Sequence, residues 1–324
     1  MRSKKTLLVI LFFVLSGSLT SLSLAADYPS RTMEIIIPFS AGSGSDVAAR
    51  FFADVGAKYF GQPIVVVNKP GGGGSIAVGE VVTSKPDGYK VLWTAQPYFA
   101  TTYRTHGKLP FNVHDLVPLA SFYEMKLGMA VRGDGPFKNW DDLREYGKKH
   151  PGELKWASTG RGVPPQLAAM LVFRREGLKT IEVPYKGVPE AIAALLGGHV
   201  DASTHTMSVV WDQIRAGKVR FIMVYSDKRY HDMQDVPTTA ELGIPDAAMP
   251  SHWGIYIHKD IPEPIKKVLS DLCKKVYDDP EFRKNIEKLG DQPRFGDPDF
   301  IRAAMKRQAD IGIPILKELG LIKE

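Results

Sequence analysis

Cysteine is nearly absent from this chain: of 324 residues only Cys273 is one, so no internal disulfide can staple the fold and ordinary packing must hold it. Long apolar runs are missing as well. The longest continuous one, at 7–15, has nine residues against the roughly 18 needed to read a spanning helix. Neither sign of charge dominates, with 42 Lys and Arg against 36 Asp and Glu, and the basic residues are scattered among acids rather than gathered into a stripe. That excludes a nucleic-acid footprint. Tandem repeats and low-complexity tracts do not occur, and a hydrophobic fraction of 44% excludes disorder.

Catalytic and metal signatures are missing too. The eight histidines never fall into HExxH or a comparable ligand spacing, and no Gly-Lys-Ser or Gly-Lys-Thr marks a P-loop. Residues 42–47 fail the dinucleotide pattern because Val47 takes the sixth place. Residues 72–77 fit GxGxxA, but Asn68, Lys69 and Pro70 separate them from the preceding strand. A nucleophile elbow at 73–77 fails at Ala77. The adjacent carboxylates Asp141 and Asp142, like Asp278 and Asp279, sit where they favour a helix dipole and need no acid–base role. The chain reads as a non-enzyme without cofactor or metal.

What is present begins with a leader. Arg2, Lys4 and Lys5 precede the apolar run, and small residues end the segment at Ala25 and Ala26, the pattern of a cleaved signal peptide over 1–26. Without it, 39 basic residues face 36 acidic ones, a net charge of about +3.

Hydrophobic strands then alternate with helical patterns from Thr32 to about Phe221, which predicts an α/β fold with mainly parallel sheets. Strands are expected at 33–38, 64–67, 89–94, 129–132, 154–157, 180–183, 200–203 and 219–224. Helices are expected at 45–60 (Ser45 or Asp46 capping), 75–83, 140–149, 165–176, 189–196 and 208–216. Two such sets imply two domains. Small-residue turns at 40–46, 71–75 and 158–162 each join a strand to a helix, where backbone N–H groups and the positive dipole end can hold a carboxylate or phosphate. Each also fits a tight turn that binds nothing.

The order and spacing of several words resemble the solute-binding receptors of tripartite tricarboxylate transporters, the Bug family, over nearly all of the mature chain. They include Pro38-Phe39 through Gly42 to Asp46 with Arg50, Gly61-Gln62-Pro63, Asn68-Lys69-Pro70-Gly71, Pro86-Asp87-Gly88-Tyr89, Val183-Pro184-Tyr185-Lys186-Gly187, Leu196-Gly197-Gly198-His199-Val200-Asp201 and Val236-Pro237-Thr238-Thr239-Ala240-Glu241-Leu242-Gly243. The resemblance implies a periplasmic binding protein with two α/β domains around a ligand cleft, joined by strands crossing near 121–126 and 247–251. Domain 1 would comprise 27–123 and 250–324, and domain 2 would comprise 124–249. The implied pocket takes in Phe39, Ser40, Ala41, Gly42, Ser43, Gly44, Ser45 and Asp46 of the first loop. It continues through Gly73, Gly74 and Ser75, then Thr94, Ala95 and Gln96. The second domain contributes Ser158, Thr159, Gly160, Arg161 and Gly162, then Thr204, His205 and Thr206.

The family pattern is broken at Ser40, Ala41 and Ser43, which suggest a more polar first loop, and at Arg161 and His205. One or both of these last two would meet a second anionic group of the ligand, since Arg offers a fork suited to a carboxylate; the alternatives are that Arg161 points to solvent at the cleft rim and, favoured for His205, that the ring makes a satisfied polar contact instead of ligating directly. Trp93, Tyr98, Trp156 and Trp253 can stack on an aromatic acid but fit a strand or hinge core better. The resemblance implies a monomeric periplasmic receptor that captures a di- or tricarboxylate and delivers it to a two-subunit membrane permease. The alternatives are a carboxylate sensor serving a signalling partner and an exported α/β enzyme.

Overall fold

The structure is a computed structural model that describes residues 28–160 and 162–322; the leader read at 1–26 and the candidate Arg161 lie outside the described residues. In chain order the first part gives β1 (Met33–Ile37), α1 (Gly44–Phe60), β2 (Ile64–Asn68), α2 (Ser75–Val82), β3 (Lys90–Ala95), α3 (Gln96–Ala100) and β4 (Leu116–Met125). There follow β5 (Leu127–Arg132), α4 (Trp140–Lys149), β6 (Lys155–Ser158), α5 (Pro164–Arg175), β7 (Ile181–Pro184), α6 (Val188–Leu196), β8 (Ala202–Thr206), α7 (Trp211–Arg215) and β9 (Val219–Val224). The chain ends with β10 (Ser251–His258), α8 (Glu263–Asp278), α9 (Pro280–Lys288), β11 (Gln292–Gly296) and α10 (Pro298–Glu318).

Two sheets result, ordered β11-β4-β10-β3-β1-β2 and β7-β6-β8-β5-β9. Both are mixed, not mainly parallel as the alternation predicted. In the first sheet β1 runs parallel to β2 and β3, whereas β10 is antiparallel to β3 and β4. In the second, β6 is parallel to β7 and β8, whereas β5 is antiparallel to β8 and β9. The reversal follows from connectivity: β10 enters the first sheet, and β5 the second, directly from the other domain, with no βα crossover to set a parallel direction.

Local signals explain the elements. The run Met33–Ile37 is covered on both faces, as a central strand of a two-layered α/β domain should be. Ser43, not the expected Ser45 or Asp46, caps α1, its hydroxyl accepting from Asp46 N at 3.3 Å, and Gly61 ends that helix at φ 73°. The helix expected over 208–216 is instead a 3-10 turn, Ser208–Val210, followed by α7, because Val210 adopts φ −119° and ψ 17° between them.

Each sheet carries its own core. In the first, Trp93 stacks on Phe122 with centroids 5.3 Å apart, and both meet Phe52. In the second, Trp156 and Trp140 pack on Phe173 of α5. Helix α10 belongs to both: Ile301 joins the first-sheet side, while Ile315 and Leu316 join the second-sheet core. At Gly312 of α10 an added Cβ would lie 2.8 Å from Thr101 Cγ2, so glycine lets that helix approach α3. A division that assigns all of 250–324 to the first domain therefore splits the contacts of this helix.

Where the chain crosses between the sheets, buried polar groups tie the two together. Lys126 joins β4 to β5 with its side chain 1% exposed and its ammonium 2.6 and 2.7 Å from the Asp232 carboxylate. Glu124, equally buried, accepts from Arg294 at 2.8 Å and from the Tyr230 hydroxyl at 3.0 Å; burial still raises its carboxyl pKa, with Arg294 opposing the shift. Gln96 is the third tie. Its amide donates to Pro250 O (2.7 Å) and Gln308 Oε1 (3.0 Å), and its carbonyl accepts from His252 N (2.6 Å). A Gln96→Ala protein strands these groups without partners, so a urea titration should show stability lower by about 1–3 kcal/mol.

Candidate ligand-binding cleft

Between the sheets lies a cavity of about 490 Å³, within the size range of small-molecule sites. Its first wall comes from the end of β3 and the segments after β1, β2 and β3: Pro38, Phe39, Gly71, Gly73, Gly74, Thr94, Ala95, Pro97, Tyr98, Thr102, Thr105 and His106. The crossing strands contribute Met125, Leu127, Ser251 and Trp253. The second domain contributes Thr159, Gly160, Val163, Pro164, Pro165, Val188, His205 and Thr206.

The glycine loop 71–74 is shaped by what packs against it. Gly73 (φ 57°) could not carry a Cβ, which would fall 2.1 Å from His106 Cε1, and a Cβ on Gly74 (φ 103°) would meet Tyr98 Cε2 at 3.0 Å. On the other wall, the turn before α5 is braced from behind. Ser158, fully buried, donates to Glu182 Oε1 at 2.5 Å, Gln166 donates to the same oxygen at 2.6 Å, and Gln166 Oε1 accepts from Gly162 N at 2.5 Å. Thr204 donates to Pro165 O at 2.9 Å and shares a hydrogen bond with the Tyr225 hydroxyl at 2.8 Å, pinning the start of α5 to β8.

The structure thus divides the sequence-derived candidates. Phe39, Gly73, Gly74, Thr94, Ala95, Thr159, Gly160, His205 and Thr206 line the cavity. Ser158, Gly162 and Thr204 stand behind its wall, and Gln96 faces the crossing. Ser40, Ala41, Gly42, Ser43, Gly44, Ser45, Asp46 and Ser75 do not line it. The first-loop acid is occupied within its own domain, as Asp46 accepts from Gly42 N (2.8 Å), Arg50 and Asn68 Nδ2 (2.9 Å). These contacts, led by the Arg50 hydrogen bond, outweigh its desolvation and lower its carboxyl pKa. His106, Tyr98, Ser251 and Trp253 were not among the expected wall residues. The aromatic preference for core holds for Trp93 and Trp156, whereas Tyr98 and Trp253 are both packed and part of the wall.

His205 makes a polar contact within its own domain. Its ring is 1% exposed and sits edge-on to Phe221 at 5.5 Å, and Nδ1 lies 2.8 Å from Thr206 O. A carbonyl only accepts, so Nδ1 carries the proton and Nε2 is an acceptor. Burial lowers the ring pKa to about 4, which keeps it neutral at pH 7.

A base whose folded pKa lies below its unfolded value stabilises nothing on protonation. The native state binds fewer protons than the unfolded chain between pH 6.5 and about 4, so stability falls as pH drops through that window, by about 3 kcal/mol from His205. Asp291, whose buried carboxyl is raised to about 7, acts with opposite sign. The difference between wild type and His205→Gln isolates the histidine: urea midpoints from pH 7.5 to 4.5 should fall less steeply in the variant.

Comparison with known proteins places these features among others. A family model described as tripartite tricarboxylate transporter family receptor matches residues 48–321. A UPF0065 protein of Cupriavidus necator is 30% identical over 305 residues, covering 92% of this chain and 90% of its own. Among solved structures, a TctC solute-binding protein from Polaromonas superposes with a TM-score of 0.77 at 29% identity, covering 90% of this chain and 99% of its own. MatC from Rhodopseudomonas palustris, with bound malate, gives a TM-score of 0.70 at 26% identity, covering 88% and 99%.

Proposed function

Because the chain belongs to the tripartite tricarboxylate transporter family of receptors, we propose that it captures a small organic carboxylate in the cavity between its two sheets and delivers it to a two-subunit permease in the membrane. Members of this family are solute receptors and not enzymes, and they work in the periplasm. The leader pattern at 1–26 supports export and removal of that segment. The observation that carries the reading is the position of the cavity: both domains and both crossing strands line it, so a ligand there contacts every part that hinge closure would move.

The carboxylate class is supported by the malate found in MatC and by the polar groups of this wall. Trp253 Nε1, a donor only, and the Tyr98 hydroxyl have no hydrogen-bond partner among the described residues. Burial raises the Tyr98 pKa to about 12, so the hydroxyl keeps its proton. Thr94, Thr159 and Ser251 add hydroxyls. A di- or tricarboxylate is what the family resemblance implies; the family fixes the class of ligand more firmly than its charge.

Protein refolded from denaturant, and so freed of carried-over ligand, should unfold at a higher temperature with its acid. At about 100 times the dissociation constant the gain is about 2.7 kcal/mol, a rise of a few degrees. A panel of mono-, di- and tricarboxylates that leaves the folded protein unshifted throughout would contradict the reading. Phe39 is 39% exposed at the cavity wall with its ring 5.4 Å from Trp253. Phe39→Ala should therefore weaken binding about tenfold while shifting the ligand-free melting temperature little.

A further inference from the structure

A second cavity, of about 200 Å³, lies outside the cleft, and the receptor reading makes no use of it. Strand alternation separates the two: Ser251 and Trp253 line the cleft, whereas Pro250 and His252, the intervening positions of the same extended segment, line the second cavity. Its other walls come from the segment after β9, with Asp227, from β11, with Arg294, and from α10, with Phe300, Arg307 and Gln308. Segments from both sheets and α10 therefore surround it.

Two buried nitrogens of these walls have no hydrogen-bond partner among the described residues. Gln308, 4% exposed, accepts from Gln96 through Oε1 at 3.0 Å, but its Nε2 is unmet. That nitrogen only donates, so it calls for an acceptor. His252, 2% exposed and edge-on to Phe300, leaves Nδ1 unmet. Burial, with Arg294 nearby, lowers its ring pKa to about 3, so it is neutral at pH 7 and adds no charge. Arg294 is balanced by Glu124 at 2.8 Å. Two charges of opposite sign remain. Arg307, next to Gln308 on α10, gives Nη2 to Pro245 O at 2.8 Å and meets no carboxylate among the described residues, and Asp227 meets no cation among them.

The unmet set is thus a cation with an amide donor beside it, and an anion. A lone anion suits Arg307 and Gln308 but is repelled by Asp227, and a lone cation has the reverse difficulty. A molecule carrying both charges answers the whole set. We propose that this cavity is a second ligand site, for a zwitterion of the size of a small amino acid, its carboxylate on Gln308 Nε2 and the Arg307 guanidinium and its ammonium toward Asp227. A guanidinium and an amide together supply the charge-assisted donors that two carboxylate oxygens accept. The site stands apart from the cleft and from whatever acid the cleft holds.

Isothermal titration of the refolded protein tests this with glycine, β-alanine and γ-aminobutyrate, which differ in the spacing of their charges, and with acetate and methylammonium, which carry one charge each. At least one zwitterion should bind one to one, about tenfold or more tighter than either singly charged probe. Arg307→Gln and Asp227→Asn, at exposed positions outside the cleft, should each weaken that binding about tenfold, and the cleft variant Phe39→Ala should leave it unchanged. If no zwitterion gives a saturable heat with folded protein, or acetate binds as tightly as the best of them, the proposal is overturned. Binding that survives both substitutions, or that is lost in Phe39→Ala, overturns it as well, the second result by moving the zwitterion into the cleft.

Discussion

Two neighbouring strands carry the chain from one sheet to the other, and the charged groups buried at that crossing need partners. β4 and β10 pair side by side, with Trp253 opposite Tyr123 and Ser251 opposite Met125, just where the backbone leaves one core for the next. A peptide or charge there has little access to water, so each unmet group carries a full desolvation cost. Lys126 with Asp232, Glu124 with Arg294 and Tyr230, and Gln96 with Pro250, His252 and Gln308 meet that requirement. Buried ion pairs of this kind add little net stability over apolar packing, but losing one partner is costly. Their effect here is to fix which faces of the crossing strands look into the cleft.

That orientation decides the character of the cavity. With Glu124 and Lys126 facing the tie, Met125 and Leu127 face the ligand space, and the same strand pair presents Ser251 and Trp253 beside them. The charges that hold the hinge are thereby kept out of the site. Backbone geometry strengthens the separation, since the buried first-loop acid Asp46 and the half-buried Glu182 behind the second wall both brace loops with their carboxylates. The cleft is an uncharged surface supported by a charged frame, among the described residues.

The parts of this arrangement legible in the sequence were the local ones. Alternating strands and helices marked both domains, and glycine-rich turns after strands marked residues 71–74 and the stretch near Thr159 and Gly160, because a positive φ or a close approach demands glycine wherever it occurs. Less legible were contacts made across long separations. His106 and Tyr98 enter the wall only because loop 71–74 packs on them, and Trp253 arrives from a strand more than a hundred residues further on. Nor could spacing tell that Ser43 would cap α1, or that Gly42 N would be spent on Asp46, since both depend on how the turn closes. The mixed direction of the sheets escaped the alternation rule because β10 and β5 enter their sheets straight from the crossing and β11 joins the first sheet in the C-terminal return.

The central claim is that the uncharged cavity between the sheets is where the ligand is held. A crystal structure of the refolded protein with whichever acid raises its melting temperature most would test it directly. The account predicts the acid's apolar body against Phe39 and Trp253, its carboxylate on first-domain or hinge donors, and Lys126 still bound to Asp232. An acid found outside this cavity, or one whose carboxylate had drawn Lys126 away from Asp232 into the site, would contradict it.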